Sequence, residues 1–308
     1  MPEDLPSRDP TQDRPLNLPS SPQGASPPDP HGDGEPSPAE PGSLHDPHPW
    51  EGFLLVGAAV LIFTLGAPSA QGSFVGRFLI LPGVAFLMPA VLWAWARGML
   101  AQVFSWRSPT SRALVVAGTL MAGGSLVALS LAGVLTAIFG ESGETPLLRA
   151  LLFSVGPARR FLFFAVAPAL CEEALFRGAL LRCVRPWGMG TASLVSALTF
   201  AAIHASWMKF LPVAILGWAL AQVVLRTGNF WLAVAGHALH NGIVLGVLDW
   251  EGARVGMVPL SVGIAVLVVV TGLGLALAPF NPAGGWGSKP AFPRSSRSAG
   301  PRGIRFPS

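Results

Sequence analysis

Acidic residues almost vanish once the first fifty positions are passed. Nine of the sixteen Asp and Glu (Glu3, Asp4, Asp9, Asp13, Asp29, Asp33, Glu35, Glu40 and Asp46) lie in that opening stretch, leaving Glu51, Glu141, Glu144, Glu172, Glu173, Asp249 and Glu251 for everything after it. Charge of either sign is scarce: 12% of residues are charged and 51% hydrophobic, too apolar for an ordinary water-soluble surface. The chain therefore reads as a membrane protein. Cysteine is nearly missing too, and Cys171 and Cys183 are too few for a disulfide framework and lack metal-ligand spacing. They read as small buried apolar residues. No HExxH and no GxSxG is present, so the zincin and serine-hydrolase templates do not fit. No internal repeat supports a transporter. The net charge of +4 comes from arginines set singly beside apolar stretches, the distribution of topology signals rather than of a nucleic-acid surface.

What is present falls into three regions. Residues 1–49 are rich in proline and have no apolar period, so they cannot repay the entropy of ordering and read as a disordered acidic tail. Residues 281–308 read as a second, basic disordered tail, with Lys289, Arg294, Arg297, Arg302 and Arg305. Between them, 50–280 is expected to form an all-α polytopic bundle of about eight transmembrane helices. Its apolar segments run at about 52–67, 78–96, 113–139, 161–181, 191–205, 210–226, 230–248 and 258–279. A span needs roughly 20 apolar residues, so the fifth and sixth are short and are expected to pack inside the bundle.

Eight crossings put both termini on one side. Arg97, Arg107, Arg112, Arg182, Arg185, Arg226 and the basic tail would then mark the cytoplasmic face, although the outer loops also carry Arg77, Arg159, Arg160, Lys209 and Arg254. The expected setting is the bacterial inner membrane with both termini cytoplasmic.

Polar residues inside apolar helices are costly and mark sites. In PALCEEALFRGALL, Glu173 and Arg177 are four apart with the acid nearer the N-terminus, the favourable order for an ion pair. Glu172 points about 100° away from Glu173 and stays available. Phe200 and His204 share a face in the fifth segment, and His237 and Asn241 share one in the seventh. His240 lies near that face and could serve equally as packing or cap. Each pattern alone is compatible with structural hydrogen bonding between helices. Together, three helices supply such residues, and segments one, two, three and eight are expected to supply no comparable cluster. A carboxylate with an imidazole can hold and deprotonate water, and a second imidazole with a carboxamide can stabilise an oxyanion.

Glu172-Glu173-x-x-x-Arg177, Phe200-x-x-x-His204 and His237-x-x-x-Asn241, in that order on successive apolar helices, resemble the CPBP family of CAAX proteases and bacteriocin-processing proteins, also called the Abi family. The resemblance covers about 160–250. It implies an intramembrane endopeptidase with its site opening from the cytoplasmic side. It also implies that Glu172 and His204 activate the hydrolytic water, that His237 and Asn241 form the oxyanion hole, and that Glu173 and Arg177 support the site. The substrate would be a membrane-anchored protein or peptide in the lipid bilayer. No cofactor is favoured, since a glutamate neutralised by Arg177 is a poor metal ligand; zinc on Glu172, His204 and His237 is the alternative. A catalytically silent membrane scaffold or a bacteriocin self-immunity protein is the alternative function.

Overall fold

A computed structural model of the chain describes residues 47–70, 73–104, 108–140, 150–152 and 154–249. Residues 1–46 of the first tail, the second tail and the eighth apolar segment, 258–279, lie outside the described residues, while Pro49, assigned to the first tail, opens α1. Within them the fold is all-α, with no strand. Helix α1 is Pro49–Gly66, α2 is Gly76–Ala96, α3 is the single turn Leu100–Val103, and α4 is Ser111–Phe139. The segment 157–184 forms α5, followed by α6 (Met189–Ala202), α7 (Trp207–Thr227) and α8 (Phe230–Asp249).

Five helices, α1, α2, α4, α7 and α8, are long and apolar enough to cross a membrane. The expected count of eight is thus not established, and one expectation needs correction. The sixth segment was expected to be short, yet α7 has 21 residues. The apolar run ends at Phe210 because Lys209 and Ser206 interrupt it, while the helix itself continues back to Trp207. The fifth segment is short as expected, 14 residues in α6. The outward faces carry large apolar side chains, among them Leu54, Leu61, Leu65, Val115 and Leu211, which suits a lipid-facing surface. Exposed Trp50, Trp95 and Trp187 ring one end of the bundle and Trp207 marks the other, the arrangement of interfacial aromatic belts.

The turns fix how the helices stack. Thr110 caps α4 by accepting a hydrogen bond from the Ala113 amide at 3.2 Å. Helix α7 ends at Gly228, which takes the left-handed conformation (φ 65°) that glycine adopts without strain. Asn229 then caps α8 at once, its side-chain oxygen accepting from the Trp231 and Leu232 amides at 2.9 and 3.2 Å. This two-residue reversal makes α7 and α8 antiparallel. Helix α4 is antiparallel to α7 as well: Phe139 stacks edge-on to Trp207 at 4.9 Å, and further along Gly124 meets Ala219. Helices α4 and α8 therefore run in the same direction.

One buried polar cluster lies where none was expected. Glu51, 6% exposed in the first turn of α1, accepts from the Trp93 indole at 2.9 Å and the His48 amide at 2.9 Å, and pairs with Arg97. The bonds to Trp93 and Arg97 clip the start of α1 to the end of α2, and the bond from the His48 amide caps α1. The sequence pattern hides this cluster because its members are 42 and 46 positions apart and share no helix face.

Candidate active site

Helix α5 carries the centre of the polar cluster. It is not a uniform α-helix: wider π-type turns occupy Leu162–Val166 and Ala174–Leu180, the second beginning immediately after Glu173. Such turns recur at functional sites because they re-aim side chains within one helix. Here the change of winding falls between Glu173 and Arg177, and the pair still closes, with Arg177 Nη1 donating to Glu173 Oε1 at 2.8 Å. Both side chains have no exposed surface.

Two fully buried ions without further partners would cost several kcal/mol each after relaxation. The bundle provides those partners. Arg177 Nη2 donates to the carbonyl of Gly217 on α7 at 2.8 Å, and its guanidinium carbon lies 4.6 Å from the Phe200 ring centre on α6, a cation–π contact. Gly217 is required there, because a Cβ would sit 3.1 Å from the Phe200 ring and 3.2 Å from the Ala197 backbone. A side chain at this position would push α6 off α7 and move the carbonyl that holds Arg177.

His237 reaches the same carboxylate from α8. Its Nδ1 lies 2.9 Å from Glu173 Oε1, and since a carboxylate only accepts, Nδ1 is the donor. That bond aims Nε2 at the other glutamate, with Glu172 Oε2 3.8 Å away. The gap exceeds a direct hydrogen bond and is the kind that a bridging water spans. Glu172 retains 18% exposure of its side chain where Glu173 has none. The two adjacent carboxylates therefore differ: one is fixed inside the network and the other is left at its edge.

His204 follows the end of α6, in a turn whose next residue, Ala205, holds a left-handed backbone (φ 47°). A non-glycine residue in that region is strained, and such strain concentrates where a side chain must be aimed. The Phe200 carbonyl accepts from His204 Nδ1 at 2.9 Å, which leaves Nε2 as the ring nitrogen not engaged by that bond. Phe200 connects the two imidazoles, with ring centres 5.1 Å from His204 and 5.7 Å from His237. Asn241 is half-buried one turn beyond His237 on the same face of α8. The fold thus gathers Glu173, Arg177, Phe200 and His237 through direct contacts, with Glu172 3.8 Å from His237, His204 joined through Phe200 and Asn241 placed by helix register. Gly217 and the α7 backbone were missed by the motif reading. A backbone acceptor leaves no side-chain signature, and only the small residue itself hinted at close approach.

Access is one-sided. From Ala174 to Leu181 every residue of α5 is fully buried, so the network is sealed toward the end of the bundle that holds Pro49. Partial exposure of Glu172 and His204 occurs toward the end marked by Trp207. Around the turn that carries His204 lies an open apolar surface depression of about 460 Å³ lined by Ala201, Ala202, Ala205, Ser206, Trp207 and Phe210.

The donor set does not suit a metal. Among the described residues no group of three His, Cys, Asp or Glu is close enough to hold one. Glu173 is committed to Arg177 and His237 through Oε1, and His204 Nδ1 is engaged with a carbonyl. The alternative zinc set of Glu172, His204 and His237 is not assembled as ligands here.

A helical membrane bundle with a buried, ion-paired cluster of Glu, Arg and His defines the class as polytopic membrane proteins with an intramembrane polar site. Comparison bears on the family: residues 154–243 match the family model for the type II CAAX prenyl endopeptidase Rce1-like group, a match that takes in the motif residues and supports the CPBP/CAAX protease family. The match spans most of α5 to α8 and leaves α1 to α4 outside it. In general terms that match supports a CAAX-type intramembrane endopeptidase. No curated protein and no solved structure matches the chain.

Proposed function

We propose that the protein hydrolyses a peptide bond near a membrane-embedded or lipid-anchored segment of a protein substrate, with Glu172 and His204 activating water. The observation that carries this reading is the asymmetry of the two glutamates. Glu173 spends one oxygen on Arg177 and His237 in full burial, and Glu172 stands at the exposed edge facing His237 Nε2. Glu172 is therefore the carboxylate that water and a peptide can reach.

Water held between Glu172 and Nε2 of His204 loses a proton to Glu172 as its oxygen bonds to the scissile carbonyl carbon. The carbonyl becomes an oxyanion, which accepts hydrogen bonds from His237 and Asn241. The carbon–nitrogen bond then breaks, and the proton on Glu172 passes to the leaving nitrogen, giving a carboxylic acid and an amine with the site restored. Donation from His237 to the oxyanion would use Nε2, because Nδ1 stays on Glu173.

The supported setting is a multi-pass membrane protein, and we retain the bacterial inner membrane with cytoplasmic termini as part of the proposal. The test is a deletion strain in which a membrane protein accumulates uncleaved, with processing restored by the wild-type chain. Restoration by Glu172→Ala at equal membrane abundance would remove the catalytic assignment.

A further inference from the structure

His240 is the one histidine of the region that the proposed chemistry leaves idle. It is 8% exposed, and its buried Nδ1 has no hydrogen-bond partner. His204 and His237, by contrast, each have Nδ1 pinned, one by the Phe200 carbonyl and one by Glu173. Buried polar side-chain atoms are nearly always satisfied, and an unsatisfied one costs about 1–3 kcal/mol. A leucine at that position would avoid the cost. Such a group is kept in an apolar helix for a partner that arrives.

Its place on α8 says which partner. Residues three apart on a helix differ by about 60° around the axis and by about 4.5 Å along it. His240 is therefore one step along α8 from His237, toward the Trp207 end at which Glu172 and His204 are partly exposed. Around the axis it falls between His237, which faces Glu173, and Gly236, whose missing Cβ would meet Met121 of α4 at 2.6 Å. It thus lies at the seam between α5 and α4, next to the oxyanion position and on the accessible side of it. An extended chain advances about 3.3–3.6 Å per residue. A substrate whose scissile carbonyl lies at His237 brings a neighbouring peptide group within reach of His240.

We infer that His240 is a substrate-binding residue, its imidazole hydrogen-bonding a backbone peptide group of the substrate next to the scissile bond. A neutral imidazole offers one donor and one acceptor, the complement of a peptide unit. Backbone recognition of this kind orients the chain for attack while reading no side chain. It rests on the endopeptidase reading and deepens it.

The test uses the full chain in detergent and an internally quenched peptide spanning the cleavage site of the protein that accumulates in the deletion strain. Wild type, Glu172→Ala, His240→Leu and His240→Asn are compared on that peptide and on a series in which single backbone amides near the scissile bond are replaced by esters. His240→Leu is expected to melt at or above the wild-type temperature while cleaving the peptide about three- to tenfold less efficiently, the worth of one hydrogen bond. His240→Asn should recover part of the loss. One ester position should lower wild-type cleavage by a similar factor and leave His240→Leu unaffected. A clear drop in melting temperature for His240→Leu would mean that the residue holds helices together, and losses that multiply at every ester position would mean that it touches no backbone group; either overturns the inference. The underlying reading fails separately, by Glu172→Ala cleaving as well as wild type or by no cleavage with any variant, and the inference falls with it.

Discussion

His237 and Glu173 are 64 positions apart, yet Nδ1 of one donates to Oε1 of the other at 2.9 Å inside a fully buried ion pair. The bond locks α8 onto α5 and sets the direction of both remaining polar groups, His237 Nε2 and the neighbouring Glu172. Its consequence is that support and chemistry in this site are separable by mutation.

Support should fail as folding. Arg177→Leu leaves the Glu173 carboxylate and the Gly217 carbonyl buried without their cation, a change that costs about 3–5 kcal/mol when one partner of a buried pair is removed. The variant is expected to accumulate poorly in membranes and to lose its cooperative melt in detergent. Normal abundance with only reduced activity would show that the pair is not structural.

Chemistry should fail without unfolding. His204→Ala removes a side chain that bonds the Phe200 carbonyl and stacks edge-on to the Phe200 ring, so little packing is lost. Processing is expected to drop by about 10²–10⁴-fold, the usual contribution of a positioned acid or base, with the melting temperature unchanged. A parallel fall in stability would assign His204 to the scaffold instead.

Close approach at Gly217 can be tested by size. Gly217→Ala brings a methyl to 3.1 Å from the Phe200 ring and 3.2 Å from the Ala197 Cα, and overpacking of this kind costs about 1–3 kcal/mol. Because Phe200 contacts Arg177, His204 and His237 together, activity should fall along with stability. The open Gly190, with nothing near its missing Cβ, should accept alanine without effect.

The motif helices were legible because their polar residues repeat at four-residue spacing, which places Glu173 with Arg177 and His237 with Asn241 before any tertiary information. What spacing cannot show is which helices meet. The Glu173–His237 bond, the Gly217 acceptor and the Glu51–Trp93–Arg97 clip all depend on packing between distant segments. The length of α7 was misjudged for a related reason. Hydropathy stops at the first polar residue, but a helix needs only its backbone bonds to continue past Lys209 to Trp207.

Two expectations from the sequence exclude each other once the fold is known. Termini in the cytoplasm put the Pro49 end of α1 there, while a cytoplasmic opening would put the Trp207 end there, and these are opposite ends of the bundle. Cysteines introduced at Trp50 and Ser206 should react with an impermeant maleimide from opposite sides of the membrane, with a low background because Cys171 and Cys183 are buried. Labelling of both positions from one side would contradict the arrangement of helices. The side that labels at Ser206 is the side from which the substrate is approached.

The central claim is that Glu172 acts on water while Glu173 holds the structure. The most direct measurement is hydrolysis by purified Glu172→Gln and Glu173→Gln variants, each with its melting temperature. Glu172→Gln is expected to keep the wild-type melt and lose cleavage, whereas Glu173→Gln should lose stability first. Full cleavage by Glu172→Gln, or a stable and inactive Glu173→Gln beside an active Glu172→Gln, would contradict the account.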